Sequence, residues 1–528
     1  MQFQLSGLCA DEFEQRLGER WPLRQGDREA YRADYLDTFD WRLYRDGLLL
    51  LAEQADAGYW LELCAYETAG LLLAGRNEAE PGLLDSLQAP ALRQRLAEVV
   101  EMRRLLPQAC LSGERKRLRL LDDEEKTLVR LELIRAQASG PALAQAGAET
   151  KQAVELPPLI RVIGLKGYEA ERDRLIRWLE QSDGVLDAAH FYPRLLKAVA
   201  AEPGAYSAKL DFSLKPEQRA DAAAKQILLF LLGVIEANLE GVKADTDSEF
   251  LHDLRVAVRR TRSALSQIKQ VFDPISLAHY RQEFGWLGQI SGPTRDMDVY
   301  LLKFPDYSNS LPEEYRDALE PLHRYLERHQ RSEQKKLARR LQSKRLLSLL
   351  ADWREFLQQP VPQVANHANA VRPVLEVASR RIHRMYKRVM REGRLIEDDS
   401  PAEELHELRK SCKKLRYLME FFQSLYPASE IKSLIKSIKA LLDNLGDFQD
   451  LEVQAGKMKQ MSEELRQSRV STETLLAIGM LIDGLLERQH QERTRFAQRF
   501  AEFASAENRA LFDDLFKQRA TNSGGQGA

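Results

Sequence analysis

One twelve-residue phrase occurs twice in this chain, and the repetition constrains the fold more than any other feature. Leu251-His252-Asp253-Leu254-Arg255-Val256-Ala257-Val258-Arg259-Arg260-Thr261-Arg262 returns as Leu405-His406-Glu407-Leu408-Arg409-Lys410-Ser411-Cys412-Lys413-Lys414-Leu415-Arg416, 154 residues on (252 to 406). A second phrase keeps the same spacing: Gly292 and Asp296 return as Gly446 and Asp450. A third pair, Leu326-Glu327-Arg328 and Leu486-Glu487-Arg488, is 160 residues apart, so a few residues were inserted between. Two phrases with one offset mark a tandem duplication. Long amphipathic patterns beyond about Leu214, with prolines confined to boundaries such as Pro274, Pro305, Pro312, Pro321, Pro360 and Pro401, make that duplication helical.

At about 100° per residue, His252, Arg255, Arg259 and Arg262 fall within roughly 80° of one another. Leu251, Leu254, Val258 and Leu265 gather on an adjoining face that can enter a core. The helix is therefore apolar on one side and a ladder of cations on the other. Asp253 points away from the ladder, and repulsion on this scale calls for a polyanion. Positions 0, 3, 7 and 10 spread the cations along roughly 15 Å of axis. Asp296 and Asp450 read as helix caps or braces for the arginines, Glu420 as an internal ion-pair partner. Arg380-Arg381-Ile382-His383-Arg384 with Lys387-Arg388 reads equally as a solvated face.

A formal net charge of −2 argues against indiscriminate nucleic-acid binding and leaves a local basic site open. Cys9, Cys64, Cys110 and Cys412 are scattered, with no metal-ligand spacing and no disulfide framework. The amino terminus lacks the layout of a signal peptide, and the longest fully apolar run, Ile227 to Ile235, is far short of the ~20 residues of a membrane span. We expect a cytoplasmic protein with no membrane contact and no cofactor.

The first two hundred residues read as α+β. Strands are expected at Tyr59–Cys64, Arg117–Leu121, Thr127–Arg135 and Leu159–Leu165, and helices at Pro90–Leu106 and Tyr168–Gln181. Ala138 to Glu155 reads as a flexible loop. The phrase Tyr35-Leu36-Asp37-Thr38-Phe39-Asp40, followed by Leu43 and Gly47, resembles the signature of the CYTH, or triphosphate tunnel metalloenzyme, family. That resemblance implies an antiparallel β-tunnel that binds triphosphate or polyphosphate with a divalent metal. The family opens on an ExExK strand, where this chain has Gln2-Phe3-Gln4-Leu5-Ser6. Amides replace the metal carboxylates that a hard cation needs, which makes the domain a degenerate, non-catalytic scaffold with no metal site. Arg115, Lys116, Arg117 and Arg119 are candidates for a residual anion site or a solvated strand edge.

The spacings HxxRxxxRRxR and HxxRxxxKKxR, each followed 40 residues after its histidine by the glycine of GxxRD or GxxQD, resemble the CHAD family, named for a conserved histidine α-helical domain. The resemblance implies two pseudo-symmetric helical bundles whose basic helices face a central groove or pore. It also implies binding of inorganic polyphosphate and association with polyphosphate granules. The fold class expected is α+β overall, with a degenerate tunnel-like domain over 1–200 and an all-α domain over 215–515. The repeat halves span about 215–355 and 370–515, and 520–528 form a disordered tail. Carried over by position, the polyphosphate-binding residues are His252, Arg255, Arg259, Arg260 and Arg262 with His406, Arg409, Lys413, Lys414 and Arg416. Lys335, Arg339, Arg495 and Arg499 on later helices join them. Gln449 stands where the first repeat has Arg295, which leaves that arginine's role open in the second half.

The function expected is polyphosphate binding without catalysis. The alternatives are a metal-dependent triphosphatase or polyphosphatase of the amino-terminal domain and a nucleic-acid-binding bundle. Nucleic acid is disfavoured as a partner, because apart from Tyr417 no aromatic platform accompanies the basic residues. The sequence leaves the oligomeric state open.

Overall fold

Short leucine-rich runs whose burial alternates with period two make the first part of the chain a sheet. In the computed structural model, which describes residues 2–140, 153–187, 191–363 and 367–517, two units separate: Met1–Ser207 and Ala208–Ala528. The first contains β1 (Gln2–Leu5), β2 (Leu23–Asp37), β3 (Leu48–Ala55), β4 (Gly58–Ala65), β5 (Leu71–Asn77), β6 (Leu106–Leu121), β7 (Thr127–Ser139), β8 (Val154–Glu155), β9 (Leu159–Gly164) and β10 (Val185–Asp187). They form one antiparallel sheet in the order β10-β1-β9-β7-β6-β2-β3-β4-β5, with β8 on β7.

All four expected strands are present, and the second expected helix spans Glu169–Gln181. The first runs only from Pro90 to Val100. Glu101 there takes φ 53, a left-handed conformation that ends the helix, and β6 begins at Leu106. Most of the expected loop 138–155 and the tail 520–528 lie outside the described residues. The ends of that loop are strand, since Gln137 and Ala138 pair with Glu155 and Val154.

One face of the sheet carries odd-numbered residues of β2, β3, β6 and β9. Tyr31, Tyr35, Leu51, Ala109, Leu111 and Leu159 on it pack with Phe191, Tyr192, Leu195 and Leu196 of the helix Phe191–Ala198. The opposite face packs under the helices Ala10–Gly18 and Glu169–Gln181 through Phe13, Leu17, Leu175 and Leu179.

In the second unit the duplication is visible in the helix starts. Ala220–Lys243 and Val374–Gly393, Ser248–Gln267 and Ala402–Phe422, and the helices opening at Pro274 and Ala428 all begin 154 residues apart. Arg219 and Pro373, also 154 apart, form an antiparallel bridge, with Val374 N–H donating to Gln218 O at 2.7 Å. This contact sits where the two repeats meet their own equivalents. The repeats diverge at Pro293: the first-repeat helix stops at Ile290 and restarts at Gly292, because proline lacks an N–H and clashes with the preceding turn. Its counterpart, with Asp447 at that position, runs unbroken over Ala428–Gln467. Ala220–Lys243 is long and apolar enough to cross a membrane by length and composition. Here it is a core helix with Ile227, Leu228, Leu231 and Ile235 buried.

Candidate functional site

The two motif helices, Ser248–Gln267 and Ala402–Phe422, each bury an apolar stripe: Leu251, Leu254 and Val258 in one, Leu405, Leu408 and Leu415 in the other. That burial turns the cationic stripe of each helix toward shared space. A cavity of about 660 Å³ is lined by His252, Arg255 and Arg259 from the first and by Arg409 and Lys413 from the second. Six pairs in its lining are duplicated, all 154 residues apart: Arg255 and Arg409, Arg259 and Lys413, Asp296 and Asp450, Val299 and Val453, Tyr300 and Gln454, Lys303 and Lys457. The cavity therefore lies on the pseudo-twofold axis that relates the repeats.

A second cavity of about 460 Å³ shares Arg259 and Lys413 with the first. Arg262, Arg281, Lys410 and Lys414 add four more cations to its lining, together with Ser263, Ser266 and Tyr417, and among the described residues no carboxylate lines it. The two spaces meet at the Arg259–Lys413 pair and follow the motif helices in the same chain direction.

Three arginines of the first cavity, Arg255, Arg295 and Arg409, are held by neutral or matched acceptors. Arg255 Nη1 donates to Gly288 O at 3.0 Å and to Ser291 Oγ at 2.9 Å. Arg409 Nη1 donates to Gln449 Oε1 at 2.6 Å and to Asp450 Oδ1 at 3.1 Å. Arg295 Nη2 donates to His252 Nδ1 at 3.0 Å, which places the neutral ring's hydrogen on Nε2. The change from Arg295 to Gln449 thus changes the partner, from the motif histidine to the motif arginine. The motif glycine has a steric reason, because a Cβ at Gly446 would sit 3.3 Å from Arg409 Nη2.

Crowding of like charge shows in the titration. Burial, then Arg409 and Arg259, lowers Lys413 to about 8, with Asp450 opposing. Burial likewise lowers Arg255 and raises Asp296, with the Arg255 charge acting against that rise.

Of the residues carried over from the motifs, His252, Arg255, Arg259, Arg409 and Lys413 line the first cavity, and Arg262 and Lys414 the second. The others line neither. Arg260 donates to Ala208 O and Glu420, and Arg416 pairs with Glu420 at 3.5 Å and lies over the Tyr417 ring. Glu420 is thus an internal partner of both. His406 is half-buried outside both spaces. Lys335 and Arg339 are exposed, while Arg495 and Arg499 pair with Glu492 and Glu502 on their own helix. Lys303, Lys457 and Arg281 do line the cavities. The offset of 154 would have found the first two, whereas no repeat signal marks Arg281.

In the amino-terminal unit the cations on the inner face are matched by carboxylates. Arg161 on β9 reaches Glu53 on β3 at 2.8 Å and Glu62 on β4 at 3.9 Å. Those strands lie far apart in the sheet order, so the sheet curls toward a tunnel. Arg115 pairs with Glu29, Glu53 and Glu132, and Lys116 with Glu14. Gln4, at a presumed metal position, is buried and accepts from Arg194 Nη1 at 3.1 Å. The signature residues build a turn: Asp37 accepts from the backbone N–H groups of Thr38, Leu43 and Tyr44 at 2.7–2.9 Å. Among the described residues no group of three or more His, Cys, Asp or Glu is placed to hold a metal ion.

With this geometry in place, comparison with known proteins gives a family. Residues 226–459 match the model of the CHAD domain. The helical unit carries a CHAD domain. Among solved structures, the CHAD domain from the plant Ricinus communis is similar at 23% identity and TM-score 0.46, covering 58% of this chain and 96% of that one. PptA from Streptomyces chartreusis is similar at 16% identity and TM-score 0.41, covering 53% and 99%. Among curated proteins none matches.

Proposed function

We propose that the CHAD unit binds inorganic polyphosphate along the two joined cavities and holds it without cleaving it. The CHAD family is associated with polyphosphate binding. The observation that carries the reading is the duplicated lining: Arg255, Arg259, Arg409 and Lys413 converge on one space from both repeats. Polyphosphate offers about one negative charge per unit and no bases to read, so it suits a track of charge-assisted donors at repeated intervals. Guanidinium forks can bridge two oxygens while lysines supply adaptable point charges. The amino-terminal unit serves as a scaffold whose inner cations are already neutralised, and the protein sits on cytoplasmic polyphosphate granules.

The test is retention of long-chain polyphosphate by the full-length protein, with RNA as competitor at matched charge. Replacing Arg255, Arg259, Arg409 and Lys413 together with alanine should abolish retention while the thermal transition stays cooperative. Full retention by that folded variant would remove the site, and preferential displacement by RNA would replace the ligand. A phosphate-release assay with Mg²⁺ and Mn²⁺ tests the absence of cleavage, with release at catalytic turnover counting against it.

A further inference from the structure

The basic run at 380–388, which the sequence leaves divided between site and solvated face, encloses a third cavity. Arg380, Arg381 and Arg384 from the helix Val374–Gly393 meet Lys269 beyond the end of the first motif helix around a space of about 210 Å³. Val377, Leu418 and Phe422 supply its apolar lining, and among the described residues no carboxylate lines it. The nearest acid on the same helix, Glu376, is engaged by Arg372 and Arg380.

Two features make this a constructed pocket. Arg381 is half-buried yet finds only neutral acceptors: Nε donates to Gln267 O at 2.9 Å and Nη2 to Gln267 Oε1 at 2.8 Å. Burial and then the charges of Arg384 and Arg388 lower it, with no anion opposing them. The segment that presents Lys269 is also pinned. Gln270 takes φ 61, which is costly for a residue with a Cβ and persists only where neighbours enforce it. Asn369 enforces it by donating its backbone N–H to Gln270 O at 3.0 Å and its side-chain amide to Lys269 O at 2.9 Å. Backbone strain is thus held in the turn that delivers a cation to three others.

We infer that this pocket is a separate site for a small phosphoryl oxyanion, of the size of pyrophosphate. The space is about a third of the first cavity's 660 Å³, which suits a small anion better than a long chain. Arg380 is partly neutralised by Glu376, but Arg381, Arg384 and Lys269 have no carboxylate in the lining, and cations converging in this way suit phosphate oxygens. The site occurs once, because Gln226, Ile227 and Phe230 occupy the positions 154 residues before Arg380, Arg381 and Arg384. It therefore gives a pseudo-symmetric domain a unique end. The oxyanion is either a free diphosphate or a terminal segment of a longer chain. The inference shares no residue with the paired cavities and does not rest on the reading proposed for them.

The experiment titrates full-length protein by calorimetry with inorganic pyrophosphate in one arm and long-chain polyphosphate in the other. Lys269→Glu/Arg384→Glu reverses two exposed cations of the pocket. Lys432→Glu/Lys436→Glu, exposed and outside all three cavities, controls for the same change of charge. The pocket variant should weaken binding by at least about tenfold relative to this control. Loss in the pyrophosphate arm identifies a free diphosphate site, and loss confined to the long-chain arm identifies a chain-end site. Binding equal to the control in both arms overturns the inference. So does a pyrophosphate affinity that disappears in the Arg255/Arg259/Arg409/Lys413 alanine variant, since all binding would then run through the paired cavities.

Discussion

Lys413 makes the proposed polyphosphate grip sensitive to pH just above neutrality. It stands at the junction of the two cavities, facing Arg259 across the repeats, Arg409 and Arg416 on its own helix and Asp450 on the next. Burial and the three guanidiniums lower it from an ordinary 10.5 to about 8. A bound polyanion reverses that balance and restores the charged form. At about pH 7 the lysine is already mostly protonated and binding costs nothing. At about pH 9 some ten of eleven molecules must first take up a proton, so affinity should fall by about tenfold, roughly 1.4 kcal/mol. For folding the sign is opposite: the charged form is the penalised one, so this group's contribution to stability improves as pH rises from about 8 toward 10.5. Polyphosphate binding should be measured by calorimetry across this range for the wild type and for Lys413→Arg, which stays charged. A sloping wild-type profile beside a flat variant is expected. Equal slopes in the two proteins would refute the assignment of the pH effect to Lys413.

Lys303→Ala and Lys457→Ala should each weaken long-chain polyphosphate by about 1.5–3 kcal/mol at low salt, less as salt rises, read as retention across a salt series. Gly446→Ala should separate binding from stability. Its Cβ crowds Arg409 Nη2 and should weaken binding several-fold, while melting stays level or rises by up to about 1 kcal/mol from helix propensity. Glu53→Ala removes one of the two buried carboxylates that Arg115 and Arg161 share and leaves both guanidiniums to Glu132. It should destabilise the amino-terminal unit by about 3–5 kcal/mol in denaturant unfolding, with polyphosphate retention unchanged. Asp37→Ala orphans three backbone N–H groups and should cost at least about 2 kcal/mol in the same unfolding assay.

The helical half was legible because duplication and amphipathicity are both sequence-periodic. Arg255, Arg259, Arg409 and Lys413 could be named from spacing alone, since a helix turns spacing directly into direction. Arg260 and Arg416 show where that reasoning stops. They sit in the same motifs, yet the packing of the motif helices brings both to Glu420, and crossing geometry between helices is not written in the spacing of either one. Lys335, Arg339, Arg495 and Arg499 repeat a pattern without sharing the cavities, because those later helices expose their basic faces. In the amino-terminal half, β2 runs for fifteen residues through Arg24, Asp27, Arg28 and Glu29. Its polar outer end carries no apolar alternation, and the long pairing with β6 alone holds it in the sheet.

The two halves also differ in how their clusters of cations are balanced. Arg115 and Arg161 are as buried as any arginine of the motif helices, and each is met by two or more glutamates from other strands of the sheet. Their charge is satisfied within the fold, and removing a carboxylate costs stability. Around Arg259, Arg262, Arg281, Lys410, Lys413 and Lys414 the lining holds no carboxylate among the described residues, and Glu407 pairs with Lys410 from outside the cavity. Glu407 and Asp450 relieve only part of that repulsion, and an anion from outside would lower it further. Placing a glutamate at Ser263, which faces this cavity, should therefore raise the stability of the free protein and weaken polyphosphate binding together. A variant that gained stability with undiminished binding would show that the repulsion is unconnected to the ligand.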